Sequence, residues 1–307
     1  MYNKDNYRNP LVYNRADPFC YLHTDGYYYF TATEPYYEFI ELRRAKSLNE
    51  LVNAETRVVW RKHEKGDMGA HIWAPEIHFI DGVWYIYFTA GHSDNKWNIR
   101  PYALVCRDKD PMAGNWEEAG RIDVGHESFS LDMTSFMHNG KQYVLWAQVI
   151  DEKHPSSVYI ARMKNPLELE TKPMLLTKPQ YDWELRGIPV NEGPAVLIRN
   201  GKIMVVFSAA NTGSNYCMGL LWCDENADVM DINSWHKMSE PIMQSSDDIK
   251  EYGPGHNSFT TDGEDDIIIY HSRSYKNIIG DPLDDINRHT RARKIVYDDN
   301  GLITIEI

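Results

Sequence analysis

Residues 74–90 read APEIHFIDGVWYIYFTA, and this stretch decides the fold. An apolar run ends at Asp81-Gly82, and a second run of aromatic and β-branched residues follows at once. Asp-Gly between two such runs is a strong short-range hairpin signal, because the tight turn needs positive φ at its central residues. The same pattern recurs along the chain. It reads DPFCYLHTDGYYYFTAT at 17–33, DMTSFMHNGKQYVLWAQ at 132–148, EGPAVLIRNGKIMVVFSAA at 192–210 and HNSFTTDGEDDIIIYHS at 256–272. The turn glycines Gly26, Gly82, Gly140, Gly201 and Gly263 each follow Asp or Asn and are spaced 56, 58, 61 and 62 residues apart.

A period near sixty leaves room for two more strands after each hairpin. Candidates are RPYALVCRD at 100–108, SSVYIARMK at 156–164 and MGLLWCD at 218–224. Four strands per unit, repeated around an axis, describe the blade of a β-propeller. The chain is therefore expected to be all-β, with five four-stranded blades around a central channel and 1–307 forming a single domain. A solenoid is the competing architecture, but closure suits aromatic blades of this length better. No helical period is sustained, and IELRRAKSLNEL at 40–51 is expected to link strands, at most with a helical turn.

Composition narrows the function. The 307 residues carry a net charge of −13, which argues against the basic stripe that binds nucleic acid and against an anionic membrane surface. With 20 Tyr and 9 Trp against 9 Phe, flat apolar faces with polar handles are abundant, which suits sugar rings as well as strands. Cys20, Cys106, Cys217 and Cys223 show no paired spacing, so reduced thiols are expected. The polar start at 1–10 carries no apolar leader pattern, and a cytoplasmic location is expected on that ground. Homo-oligomerisation is left open. No zinc-hydrolase, nucleophile-elbow or phosphate-loop motif occurs.

In a propeller the innermost strands converge on the axis, so residues heading the repeats should share one pocket. Asp17, Asp132, Glu192 and His256 stand seven to nine positions before their turn glycines, and Trp73 and Ala74 take that place in the second repeat. Three carboxylates, an imidazole and an indole in one cleft would shift each other's pKa values and separate acid from base. Glycoside hydrolysis needs such a pair, one carboxyl to protonate the leaving oxygen and one to activate water. Each residue also has an ordinary explanation: Asp17 before Pro18 caps a turn, and Trp73 packs a core. The shared position across repeats outweighs it.

These motifs together resemble glycoside hydrolase family 43, five-bladed propeller enzymes acting on arabinose and xylose polymers. The resemblance rests on RADPF at 15–19, WAPEIHFIDGVWYIYFTAG at 73–91, LDMTSF at 131–136, NEGP at 191–194 and GPGHNSF at 253–259. It runs from about Arg15 to Asn300. It implies an inverting mechanism, with Asp17 as general base, Glu192 as general acid and Asp132 tuning and orienting that acid. It also implies a sugar-binding arginine, best matched by Arg288 and next by Arg273, with Trp73 lining the substrate pocket. No cofactor is required, although members of the family hold a cation, such as calcium, or a water cluster at the channel centre beside a histidine, a position that His256 matches. The run at 27–51 resembles the branch of α-L-arabinofuranosidases and exo-acting arabinan enzymes. The expected substrate is thus a small arabino-oligosaccharide or arabinoxylan fragment. A β-xylosidase, an endo-arabinanase and a non-catalytic sugar-binding propeller are the alternatives.

Overall fold

The computed structural model describes residues 4–151 and 154–306. Its strands form five antiparallel blades in chain order. Blade 1 runs through Ala16–Leu22, Tyr28–Thr33, Phe39–Ala45 and Glu55–Arg61. Blade 2 runs through Ala70–Ile80, Val83–His92, Asn95–Cys106 and Glu117–Arg121. Blade 3 uses Ser130–His138, Lys141–Gln148, Ser157–Asn165 and Glu168–Leu169, with Met174–Thr177 also pairing with Ser157–Asn165. Blade 4 uses Asn191–Arg199, Lys202–Ala209, Cys217–Asp224 and His236–Lys237. Blade 5 has Tyr252–Asp262, Asp265–Arg273 and His289–Lys294.

The start of the chain completes blade 5. Leu11 N–H donates to the Thr290 carbonyl at 2.8 Å, and Thr290 N–H donates to the Val12 carbonyl at 2.9 Å. The Asn9 side chain continues the ladder on both backbone groups of Ala292. The ring is closed between its two ends, which removes an exposed sheet edge.

All five turn glycines have positive φ, between 62° and 83°, with open space around them. They are therefore required by backbone conformation and not by crowding. The stretch at 40–51 splits into the third strand of blade 1 and a short 3₁₀ turn at Leu48–Asn53.

The core lies in the five seams between blades. Alternation along the second strands explains this, since neighbouring residues face opposite blades. Ile203, Val205 and Phe207 pack on blade 3, while Met204 and Val206 pack on blade 5. Ile86 and Phe88 likewise face blade 1, and Tyr87 faces blade 3. The four cysteines are buried and unpaired within these seams. Among the described residues, no helix is long and apolar enough to cross a membrane.

Candidate active site

Every inner strand opens with a break in pairing register. At that break one residue takes the left-handed conformation: Asp17 (φ 50°), Ala74 (45°), Asp132 (57°), Gly193 (52°) and His256 (45°). Four of these are not glycine, and such strain concentrates where a site depends on it. These five are the equivalent positions of the ring. Counting back from the turn glycines groups Glu192 with Asp17, but the structure puts Gly193 there. Glu192 stands one place earlier, level with Ala16, Trp73, Leu131 and Gly255. The cause is that the left-handed residue lies nine, eight or seven positions before its turn glycine, depending on the blade.

The inner strands deliver Asp17, Trp73, Asp132, Glu192 and His256 to one cavity of about 210 Å³, and Arg288 joins them from the loop just before the blade 5 strand His289–Lys294. Asp17 is buried, and Arg288 Nη1 and His256 Nδ1 each lie 3.4 Å from its Oδ1. His271 accepts the Asp17 backbone N–H on Nδ1 at 3.1 Å. Burial pushes the Asp17 carboxyl up, but His256 and Arg288 outweigh it and hold it well below the usual carboxylate range. Burial also lowers the His271 imidazole to about 4, so that ring is neutral near pH 7.

Glu192 sits in a different field. Burial and the nearby Asp17 charge raise its carboxyl to about 7, against the opposing Tyr216 hydrogen bond and Arg288. The Tyr216 hydroxyl donates to Glu192 Oε1 at 2.8 Å. Asp132 is raised as well, by burial, by Glu192 and by Asp17, while the Gly193 N–H donates to its Oδ2 at 2.9 Å and favours its anion. The two buried carboxylates oppose each other's ionisation and titrate as a coupled pair. One end of the cavity thus keeps an anion and the other keeps an acid.

Trp73 forms one wall, stacked on His71 at 4.2 Å and edge-on to Tyr37 at 5.6 Å. Arg273 lies outside the cavity lining. It is buried and donates to the carbonyls of Thr212 and Pro282, bracing two segments whose neighbouring residues wall the pocket. Trp97, Phe129, Ile188, Asn211, Tyr216 and Leu283 are among the other lining residues. None was marked by the repeat: Trp97 lies near the start of the Asn95–Cys106 strand, and the others lie on connections between strands. His271 did carry a signal, ending the fifth repeat where the others place Thr33, Thr89, Ala147 and Ser208.

The cation expected beside His256 finds a poor donor set. Among the described residues, no group of three or more His, Cys, Asp or Glu side chains converges to hold a metal ion. The Nδ1 of His256 faces Asp17 and, at 3.8 Å, Asp132. One imidazole does not fit a hard cation, which prefers six to eight oxygens. The chemistry is therefore derived from the carboxylates.

A propeller with three carboxylates around its axis defines a glycoside hydrolase, and the chain belongs to glycosyl hydrolases family 43, which it matches over residues 7–303. An extracellular exo-α-(1→5)-L-arabinofuranosidase of Streptomyces avermitilis is 48% identical across 96% of this chain, which spans 62% of that protein's length. An enzyme of the same name from Streptomyces chartreusis is 46% identical, covering 90% of this chain and 85% of its own. The crystal structure of an α-L-arabinofuranosidase from Lactobacillus brevis superposes with a TM-score of 0.94 at 48% identity, covering 99% of this chain and 97% of that one. The expectation of a cytoplasmic location is overturned, since both Streptomyces relatives are named extracellular. That expectation rested on the polar residues at 1–10, and a polar start does not specify a compartment.

Proposed function

We propose that the chain is an inverting exo-α-L-arabinofuranosidase, with the propeller at 1–307 as its single catalytic domain. Its substrates are terminal α-L-arabinofuranosyl units of arabino-oligosaccharides or arabinoxylan fragments, and the α-(1→5) linkage in the names of the Streptomyces relatives is the first to try. Asp17 is the general base, Glu192 the general acid, and Asp132 tunes and orients Glu192. Trp73 and Arg288 contact the sugar.

One observation carries the roles: the environments of Asp17 and Glu192 push their carboxyls in opposite directions. A pair separated in this way supplies acid and base together at one pH. Asp17 takes a proton from water as that water attacks the anomeric carbon. Glu192 gives its proton to the glycosidic oxygen as the bond breaks. The sugar leaves with inverted configuration, and the two carboxyls exchange their protons with solvent. An inverting pair stands roughly 6.5–9.5 Å apart to admit the water. Every proton in this scheme comes from the chain or from water, so no cofactor enters it.

The test is nitrophenyl α-L-arabinofuranoside against nitrophenyl β-xyloside, with proton NMR of the first product formed. Faster release of xylose would reassign the substrate. A retained anomeric configuration would overturn the mechanism.

A further inference from the structure

A belt of side chains joins each blade to the next beneath the pocket. In every blade the residue before the left-handed position pairs with one residue of the second strand. Those partners are Thr33, Thr89, Ala147, Ser208 and His271 in blade order. Four of them accept the left-handed residue's N–H from the following blade. Ala74 N–H donates to Thr33 Oγ1 at 2.7 Å, and Asp132 N–H donates to Thr89 Oγ1 at 3.1 Å. His256 N–H donates to Ser208 Oγ at 2.6 Å, and Asp17 N–H donates to His271 Nδ1 at 3.1 Å.

The third position breaks the pattern. Ala147 is fully buried and has no acceptor to offer. The N–H it would have served belongs to Gly193, and that N–H donates to Asp132 Oδ2 instead. A buried N–H left without an acceptor is costly, so the carboxylate is drawn to it. We propose that Ala147 is a positioning residue: by withholding a hydroxyl from the belt, it hands the Gly193 N–H to the Asp132 carboxylate and so holds that carboxylate in place beside Glu192.

The consequence for the acid follows from charge. Asp132 faces Glu192 from blade 4, Asp17 from blade 1, Glu76 from blade 2 and His256 from blade 5. Glu192 in turn faces Asp17, Arg288 and Tyr216. Nearly all the charge around Asp132 is negative and opposes its ionisation. The Gly193 N–H works the other way and favours the Asp132 anion, as the Tyr216 hydroxyl does for Glu192. Gly193 itself cannot be varied cheaply, since a Cβ there would press on the His256 ring at 3.1 Å.

This rests on the acid role assigned to Glu192, and the experiment separates the two. Ala147→Ser restores the belt acceptor, while Ala147→Gly preserves the gap. In Ala147→Ser, Asp132 loses its donor, and its hold on the proton rises at the expense of Glu192. The basic limb of the kcat profile on an unactivated oligosaccharide should then move toward acid by about one pH unit, a tenfold loss at fixed pH on that limb. KM should change little, and Ala147→Gly should keep the wild-type limb. An unmoved limb in folded Ala147→Ser overturns the proposal. A second measurement needs no variant: the Gly193 amide resonance of the wild-type protein should titrate with the carboxylate pair. An amide that ignores the pair overturns the proposal even if the serine variant does not fold. If Glu192→Ala loses activated and unactivated substrates alike, the acid role fails while the amide titration still tests the belt.

Discussion

The Tyr216 hydroxyl donates to Glu192 at 2.8 Å while the Tyr216 ring lies parallel to His271, centroids 5.7 Å apart. His271 in turn accepts the Asp17 N–H, so one aromatic stack links the two carboxylates. Tyr216 is held protonated by burial and by the surrounding carboxylates, and it remains a donor across the working range. Gly255 makes room for it, because a Cβ there would overlap the tyrosine ring. Tyr216→Phe keeps the stack and removes the donor. That donor favours ionised Glu192, so its loss raises the Glu192 pKa and moves the basic limb of kcat to higher pH by about one unit. The pH profiles of the two proteins check this, and a limb moved toward acid would contradict it.

Asp17→Ala and Glu192→Ala should fail differently. Without Asp17 nothing deprotonates the attacking water, and turnover falls about 10²–10⁴-fold whatever the leaving group. Without Glu192 a nitrophenolate still departs unaided, so the loss on that substrate is smaller than on an oligosaccharide. Measuring both variants on both substrates gives four rates. Equal losses everywhere would dissolve the assignment of roles.

Arg288 sets the acidic limb. Its guanidinium stabilises the Asp17 anion, and Arg288→Met removes that support. The Asp17 pKa then rises, and activity on the acid side is lost at a higher pH than in the wild type. Arg288→Lys, which keeps a charge, should lie between them. Breaking a buried pair from one side also costs about 3–5 kcal/mol of stability, readable as a drop in the urea midpoint.

Glu192 makes the folded protein sensitive to pH in the opposite sense from Asp17. Its folded pKa of about 7 exceeds the ordinary value of 4.5. Between these values the folded state holds a proton that the unfolded state releases, so stability falls as pH rises through the window. The contribution is on the order of 3 kcal/mol for the coupled pair as a whole. Urea unfolding at pH 5 and pH 8 should show a steeper loss for the wild type than for Glu192→Gln. Parallel losses would show that Glu192 titrates normally.

The period of the hairpins carried the fold. Asp-Gly and Asn-Gly between apolar runs are local signals, readable because a turn's φ requirement acts on the turn residues themselves. Their spacing implied five units, and five seams of alternating side chains are what such units must bury. The heads of the repeats likewise pointed to Asp17, Asp132 and Glu192 as neighbours, since ring symmetry brings equivalent ends together.

Other relationships arise only once the ring closes. Whether Glu192 or Gly193 matches Asp17 depends on how many residues lie between bulge and turn, and that number differs among blades. Tyr216 and Arg288 reach the pocket from segments with no repeat to mark them. Arg273, chosen for the same task, braces the Thr212 and Pro282 segments from behind. The sequence by itself determined the strands, their number and the carboxylates at their heads, because those follow from local backbone preference and a period. Tertiary structure alone decided which carboxylate keeps its charge and which keeps its proton. That depends on burial and on groups from other blades, such as Arg288 beside Asp17 and the Gly193 N–H on Asp132, which meet across 271 and 61 residues of chain.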